Sequence, residues 1–171
     1  MKSFVRGGLL AACALASTAQ AQAGSVPSAQ EQRFIAAECA PLLGQGVNQH
    51  RFQLARVLVQ SQGMRLVTQS CPFVRMPSGG MQQVLDVRVV VVDSDTASQF
   101  VRGPLADGEE VDMGGVHFAL PSLSQAANAA QEDDISPDVQ FNRHWLAGVM
   151  AQRGWQAVPA HWWAFVPAAK R

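Results

Sequence analysis

Two cysteines are the residues whose type and spacing most directly suggest chemistry. Cys39 and Cys71 lie 32 positions apart, whereas redox and zinc motifs place paired cysteines about two to four residues apart. In an oxidising compartment an isolated pair usually forms one disulfide. Closing a loop of this length would stabilise the fold by ~3–4 kcal/mol in the chain-entropy model. The sequence therefore predicts a structural Cys39–Cys71 disulfide, with a redox or metal role as the alternative.

Other residues of reactive type lack the neighbours that catalysis requires. Ser70 or Cys39 could be paired with His50 as nucleophile and base, but neither lies in a nucleophile-elbow pattern. Gly79-Gly80 lacks the flanking residues of a phosphate-binding loop. The sequence therefore predicts neither a standard nucleophilic site nor a phosphate loop.

The N-terminal residues predict export. A basic start is followed by an apolar stretch over 7–16 and then by small residues suited to cleavage after Ala23. This order is typical of a secretory signal peptide, and the stretch is shorter than the ~20 apolar residues that span a bilayer. We therefore expect a signal peptide over residues 1–23 and a periplasmic or secreted mature protein. The alternative is a lipoprotein, lipidated at Cys13.

The remaining residues, 24–171, are enough for one domain with a core and too few for two. Loss of the leader's two basic residues would turn the balanced charge of the whole chain slightly negative. Such a balance argues against nucleic acid and against an anionic membrane surface as partners. No later stretch approaches the length of a transmembrane helix. The hydrophobic content of 48% is ordinary for a folded domain.

Three helices follow from capping residues and apolar periodicity. Ser28 opens a capping box that predicts a helix ending before Pro41. Periodicity predicts a second helix over 47–62, with Gly63 after its end. A third is expected from an N-cap at Ser136 to Arg153. Its apolar stripe, which should pack on a sheet, consists of Val139, Leu146, Val149 and Met150.

The valine-rich segment 84–93 gives the strongest strand signal, because it is too short for a helix of this composition. The segment 93–115 is loop-like. Shorter strands are expected over 64–68, 116–120, 155–158 and 162–166. Helices first, and mixed strands and helices later, indicate an α+β fold with an antiparallel sheet and flanking helices.

The C-terminal segments resemble those of a known family. Residues 142–146 (NRHWL), 154–155 (GW) and 161–165 (HWWAF) are similar to the N-R-x-x-L, G-F and E-W-W-H-F motifs of the D-alanyl-D-alanine dipeptidases, the VanX-like branch of the M15 zinc peptidases. Upstream, 111–114 (VDMG) resembles the family's M-G turn, and 77–87 lies where the family has S-x-H-x-x-G-x-A-x-D-L. The resemblance implies a DD-peptidase/hedgehog-like fold for the domain.

This sequence departs from the family at the residues that carry its zinc chemistry. The resemblance implies that the three zinc ligands fall at Gly79, Asp86 and Ala164, and the glutamate general base at His161. Glycine and alanine cannot donate to a metal, and a catalytic zinc needs about three protein ligands. A lost general base typically costs ~10²–10⁴-fold in rate. We therefore expect no zinc cofactor and no hydrolysis by the family's mechanism.

Three interpretations of function stay open. The first is an exported peptidase-like protein without zinc chemistry, which binds D-alanyl-D-alanine ends of peptidoglycan peptides in the cleft that corresponds to the family's active site. The second is an active zinc peptidase with a rearranged site built on Asp86, His117 and His161. The third is a secreted interaction or scaffold protein. The residues expected to line the cleft are His117, His161, Trp162 and Trp163.

Single residues also have competing interpretations. Asp86 is either a vestigial metal ligand or half of a surface ion pair with Arg88, which shares its strand face. Trp162 and Trp163 would point to opposite faces of a strand. One of them should therefore lie in the core, and the other should line a groove.

Overall fold

The structure, a computed structural model, describes residues 28–114 and 135–169. These residues form an α+β fold in which helices flank an antiparallel four-stranded sheet, as the sequence predicted. The expected signal peptide, Cys13, the expected strand over 116–120 and His117 lie outside the described residues. Within the described ranges, no helix is both long enough and apolar enough to cross a membrane.

The described helices are α1 (Ala29–Leu43), α2 (Gly46–Gln60), α3 (Ser94–Ala97) and α4 (Pro137–Gln152). α1 begins with the predicted capping box, in which the Ser28 hydroxyl accepts from the Glu31 N–H and the Glu31 carboxylate accepts from the Ser28 N–H. α4 begins after Ser136, whose hydroxyl accepts from the Val139 N–H at 3.2 Å. Both N-termini follow from local sequence alone.

α1 continues past Pro41 to Leu43, so the prediction that it ends before this proline is wrong. Proline breaks a helix interior because it lacks an N–H and its ring crowds the preceding turn. Here it lies in the final turn, and the Gly44 N–H closes the helix on the Ala40 carbonyl at 2.7 Å. The helix therefore continues for two residues beyond the proline.

Two other boundaries differ from expectation. α2 ends at Gln60, two residues early, although Gly63 reverses the chain with a φ of 74° as predicted. The segment 93–115 contains the single turn of α3, because the Asp93 carboxylate accepts from the Thr96 N–H and caps it. A helix this short leaves no periodic pattern in the sequence.

The sheet has the strand order β1 (Met64–Ser70), β4 (Leu85–Val91), β6 (His161–Pro167) and β5 (Trp155–Val158), with neighbouring strands antiparallel. These strands lie at nearly the predicted positions. A separate hairpin of β2 (Phe73–Arg75) and β3 (Met81–Gln83) was not predicted. Three-residue strands are too short to show alternation.

The main core lies between one face of the sheet and helices α2 and α4. The whole predicted stripe of α4, from Val139 to Met150, is buried, and α4 packs on β5 and β6 in the sheet that also contains β4. Phe52 of α2 meets Trp155 of β5 edge to face, with ring centroids 6.1 Å apart. The predicted packing of α4 on this sheet is therefore confirmed.

Cys39 and Cys71 form the predicted disulfide, with Cα atoms 5.1 Å apart, and both are buried. The bond joins α1 to the chain that follows β1. Gln83 of β3 adds a second link, since its amide donates to the carbonyls of Glu38 at 2.9 Å and Cys71 at 3.1 Å. α1 is thus fixed to both the sheet and the hairpin.

Candidate functional site

Strand β4 changes its pairing partner along one of its two edges. One of its edges pairs along its length with β1. On the other edge, Leu85 and Asp86 pair with β6, but Val89 and Val91 bond to the backbone of segment 108–111. A cleft of about 300 Å³, here called the β4 cleft, lies beside this change of partner. Its described lining includes Arg88, segment 110–114 and Trp162.

β6 is irregular where it carries the two tryptophans. Val158 pairs with His161 and Ala157 with Phe165, so the residues between them on β6 have no partner on β5. β-bulges and similar irregularities change the direction of side chains, and bulges are over-represented beside active sites. Trp163 is fully buried, whereas Trp162 is partly exposed. This is the division that strand alternation predicted, although the pairing of β6 with β5 is irregular here.

A second cleft, the α4–β6 cleft, lies between α4 and the turn from β5 to β6 and measures about 460 Å³. Trp162 lines both this cleft and the β4 cleft and therefore forms part of the wall between them. The described polar residues that line the α4–β6 cleft are Gln140, Arg143, His144, His161 and Trp162. The rest of its described lining is small or apolar, including Ala147, Ala157 and Val158.

Both histidines of the α4–β6 cleft are held by backbone carbonyls. The Nδ1 atom of His161 lies 3.0 Å from the Pro159 carbonyl oxygen, and that of His144 lies 2.8 Å from the Gln140 carbonyl oxygen. A carbonyl only accepts, so Nδ1 carries the hydrogen in each ring and Nε2 is the acceptor when the ring is neutral. The His161 ring also meets the Trp163 ring edge to face at 5.4 Å.

Arg143 of α4 donates hydrogen bonds to the segment that leads to Gly114. Its Nε donates to the Met113 carbonyl at 2.6 Å and its Nη2 to the Gly114 carbonyl at 2.9 Å. The guanidinium carbon lies 5.4 Å from the centroid of the Trp162 ring, which is within cation–π range. Arg143 therefore positions the tryptophan that separates the two clefts.

Asn142, the preceding residue of α4, is fully buried and holds two more segments. Its amide nitrogen donates to the carbonyls of Arg102 and Asp112, both at 2.9 Å. Its amide oxygen accepts from the Arg102 N–H at 2.8 Å. The two residues that the sequence matched to the family's N-R motif thus connect α4 to the chain beside β4.

Asp86 is fully buried where β4 changes partner. Its Oδ2 accepts from the Ser70 hydroxyl at 3.1 Å, and its Cα faces that of Ala164. Arg88 forms an ion pair with Glu110 on segment 108–111. The interpretation of Asp86 as half of a surface ion pair is therefore wrong, because this carboxylate is not on the surface.

The positions that the resemblance assigns to zinc chemistry do not fit a catalytic zinc. Gly79 lies in the hairpin turn, where an added Cβ would meet no atom within 4 Å, and Ala164 offers only a methyl group. The Asp86 carboxylate is anchored from β1, whereas the His161 ring is anchored from the turn between β5 and β6. In the part of the chain that the structure describes, no three His, Cys, Asp or Glu side chains group to hold a metal.

Three residues that line clefts were not predicted as cleft residues, namely Arg88, Arg143 and His144. A charged residue inside a valine run such as 84–93 needs a partner or a cleft, and that signal could have identified Arg88. Arg143 and His144 lie off the apolar stripe of α4, but a surface position has the same pattern. Only the fold distinguishes a cleft wall from an exposed face.

No family model matches this chain, and neither does any curated protein or solved structure. The resemblance to the dipeptidases therefore rests on the sequence motifs alone.

Proposed function

We propose that this chain is an exported protein, similar to the D-alanyl-D-alanine dipeptidases, that binds the carboxyl ends of cell-wall peptides without hydrolysing them. One observation carries the proposal. Asp86 and Ala164, which the motifs assign to two ligand positions, are Cα partners on adjacent strands. The ligands of one metal must converge on it at ~2.0–2.3 Å. A chance motif match gives no reason for two positions so far apart in sequence to meet in register.

A second pair of motif elements also meets. The N-R element on α4 and the M-G element are connected by the hydrogen bonds from Arg143 to the carbonyls of Met113 and Gly114. These elements lie about thirty residues apart in sequence. Their contact supports the same alignment of motifs independently of the strand register.

The α4–β6 cleft has the chemistry that a small peptide carboxylate needs. Arg143 supplies a fixed positive charge, and the imidazoles of His144 and His161 add polar ring nitrogens. The side chains of Ala147, Ala157 and Val158 offer small apolar surfaces for methyl groups. A bound dipeptide would not be cleaved, because no three metal-ligating side chains group together within residues 28–114 and 135–169, and a histidine stands at the position of the general base.

The proposed location outside the cytoplasm rests on two observations. The first is the leader-like sequence of residues 1–23. The second is the buried Cys39–Cys71 disulfide, a bond that persists mainly in oxidising compartments. Peptidoglycan peptides lie in those compartments, so ligand and protein would meet there.

The proposal can be tested by calorimetric titration with D-alanyl-D-alanine, with L-alanyl-L-alanine as the control ligand. We expect the D-dipeptide to bind and the L-dipeptide to bind at least about tenfold more weakly, a 1.4 kcal/mol difference. His161→Ala should weaken binding, whereas the matched variant His50→Ala should not, since His50 is exposed on α2 and lines neither cleft.

The same preparation should be assayed for D-alanine release and for zinc. Binding without release supports the proposal. Stoichiometric zinc with D-alanine release, both lost in Asp86→Ala, would establish the rearranged zinc peptidase instead. No binding of either dipeptide would leave the interaction or scaffold protein as the surviving interpretation.

A further inference from the structure

A third cleft, which Trp162 does not line, lies between α1, α2 and strand β1 and measures about 520 Å³. It shares Arg88 and Glu110 with the β4 cleft. A volume of this order is typical of small-molecule sites. We call it the α1–α2 cleft. Its apolar floor is formed by one stripe of each helix, with Ile35, Cys39 and Leu43 from α1 and Phe52 from α2. Cys39 and Phe52 are buried, and the disulfide of Cys39 fixes that wall.

Three arginines stand around this floor: Arg56 of α2, Arg65 of β1 and Arg88 of β4. Among the described residues that line the cleft, Glu110 is the sole acid, and it is paired with Arg88. Within residues 28–114 and 135–169, neither Arg56 nor Arg65 forms an ion pair. The cleft therefore has an excess of positive charge in a chain whose total charge is balanced.

The sheet fixes the spacing of two of these arginines. Arg65 is the Cα partner of Val90, and Arg88 is the Cα partner of Val67. Arg65 and Arg88 are therefore diagonal neighbours on one sheet face, with Cα atoms roughly 7–8 Å apart. Long guanidinium side chains at this spacing can reach one carboxylate or phosphate between them. Their mutual repulsion, which Glu110 offsets only in part, would also decrease when an anion binds.

We propose that the α1–α2 cleft binds an amphipathic anion, a molecule with one carboxylate or phosphate head and an unbranched apolar tail. The head lies among Arg56, Arg65 and Arg88, and the tail lies along the floor formed by Ile35, Leu43 and Phe52. This site is independent of the α4–β6 cleft, and it requires neither a metal nor the likeness to peptidases. Charge complementarity selects the head, and the apolar floor selects the tail.

The experiment is calorimetric titration of the mature protein with dodecanoate and with dodecyl phosphate, each below its micelle concentration. The cationic control is dodecyltrimethylammonium, which has the same tail. Acetate and inorganic phosphate are the controls without a tail. We expect at least one of the two anionic amphiphiles to bind, and the stronger of them identifies the preferred head. The cationic amphiphile and the tailless anions should bind at least about tenfold more weakly.

The matched variants are Arg56→Gln/Arg65→Gln in the cleft and Arg33→Gln/Arg75→Gln outside it. All four arginines are exposed, so both double variants should fold. We expect the cleft variant to weaken binding of the anionic amphiphile at least about tenfold, and the control variant to leave it within about twofold. Added salt should weaken binding to the wild type more than to the cleft variant.

Each of three results would overturn the proposal. The first is binding of dodecyltrimethylammonium as strong as that of the anions, which would indicate nonspecific adsorption. The second is an equal loss of affinity in the two double variants, which would show that the net charge of the protein, rather than the cleft, determines the affinity. The third is the absence of binding by both anionic amphiphiles. Dipeptide titrations at the α4–β6 cleft are unaffected by any of these outcomes.

Discussion

Asp86 and Ala164 face each other across β4 and β6, and both are fully buried. The pair places a carboxylate beside a methyl group, at the point where the pairing partner of β4 changes from β6 to segment 108–111. A buried carboxylate is costly unless hydrogen-bond donors surround it. The Ser70 hydroxyl, on the β1 side, is one such donor. Asp86 thus has a structural role that does not depend on a metal.

The first prediction concerns this hydrogen bond. Ser70→Ala should lower the free energy of unfolding by ~1–3 kcal/mol, because it removes a donor from a buried carboxylate. The matched control is Ser61→Ala, an exposed hydroxyl that donates to the Leu58 carbonyl, and it should cost less than ~0.5 kcal/mol. Urea unfolding at neutral pH measures both. Equal losses in the two variants would count against a structural role for the Ser70–Asp86 bond.

The second prediction concerns the disulfide. Cys39→Ala/Cys71→Ala should lower the free energy of unfolding by ~3–4 kcal/mol, because the open loop restores entropy to the unfolded chain. Reduction of the wild-type protein should cause a similar loss. Mass spectrometry without reductant should find no free thiol at Cys39 or Cys71 in exported material. Two free thiols there would contradict the structure.

Sequence patterns predicted this fold wherever a local signal was strong. The capping residues Ser28 and Ser136 and the positive-φ residue Gly63 each act within a few positions of chain, and each was found. The short hairpin of β2 and β3 and the register shift between β5 and β6 were not predicted. Such a shift depends on how the partner strand pairs, and a local sequence pattern does not show that pairing.

The same limit applies to the candidate site. Asp86, His161 and Trp162 were named as site residues because they lie in segments that resemble the motifs of the dipeptidases. The contacts that shape the clefts join residues far apart in sequence. Arg88 and Glu110 are 22 positions apart, and Asn142 and Arg102 are 40 positions apart. Local periodicity reports which face a residue occupies but not which distant segment packs against that face.

The third prediction concerns the pH dependence of stability. The Ser28 backbone N–H, together with the Ser28 hydroxyl, lowers the pKa of the Glu31 carboxyl in the folded protein. Because the folded pKa is lowered, this contribution to stability is present above the unfolded pKa and is lost as the pH falls through the folded value. Glu31→Gln should therefore flatten the fall in stability below about pH 4.5, near the ordinary pKa of glutamate.

Urea midpoints measured between about pH 6 and pH 3 provide the test, since this range brackets the ordinary glutamate pKa. Glu109→Gln is the matched control, since it removes an exposed carboxylate from the loop beside β4 and leaves the capping box intact. If the Glu31→Gln profile runs parallel to that of this control, the capping box does not contribute to acid unfolding. Asp93, whose pKa the Thr96 side chain and backbone lower, should behave like Glu31 in an Asp93→Asn variant.

The fourth prediction concerns the buried amide that connects α4 to the chain beside β4. Asn142→Ala should lower the free energy of unfolding by ~2–4 kcal/mol, because it leaves the Arg102 N–H and two carbonyls without the partner they have now. Asn142→Asp keeps an acceptor of the same shape but loses both donations, so it should also destabilise. Gln140→Ala, an exposed position on the same helix, is the control and should cost less than ~0.5 kcal/mol.

Loss of this connection should also affect the clefts. Asn142 holds the segment that runs to Met113 and Gly114, and those carbonyls in turn orient Arg143 against Trp162. Trp162 is partly exposed, so the variant should change its environment and shift the fluorescence emission of the folded protein. A stability loss without a spectral shift would mean that Arg143 positions Trp162 without help from Asn142. A loss no greater than that of Gln140→Ala would mean that the amide network is not what holds α4 to the segments at Arg102 and Asp112.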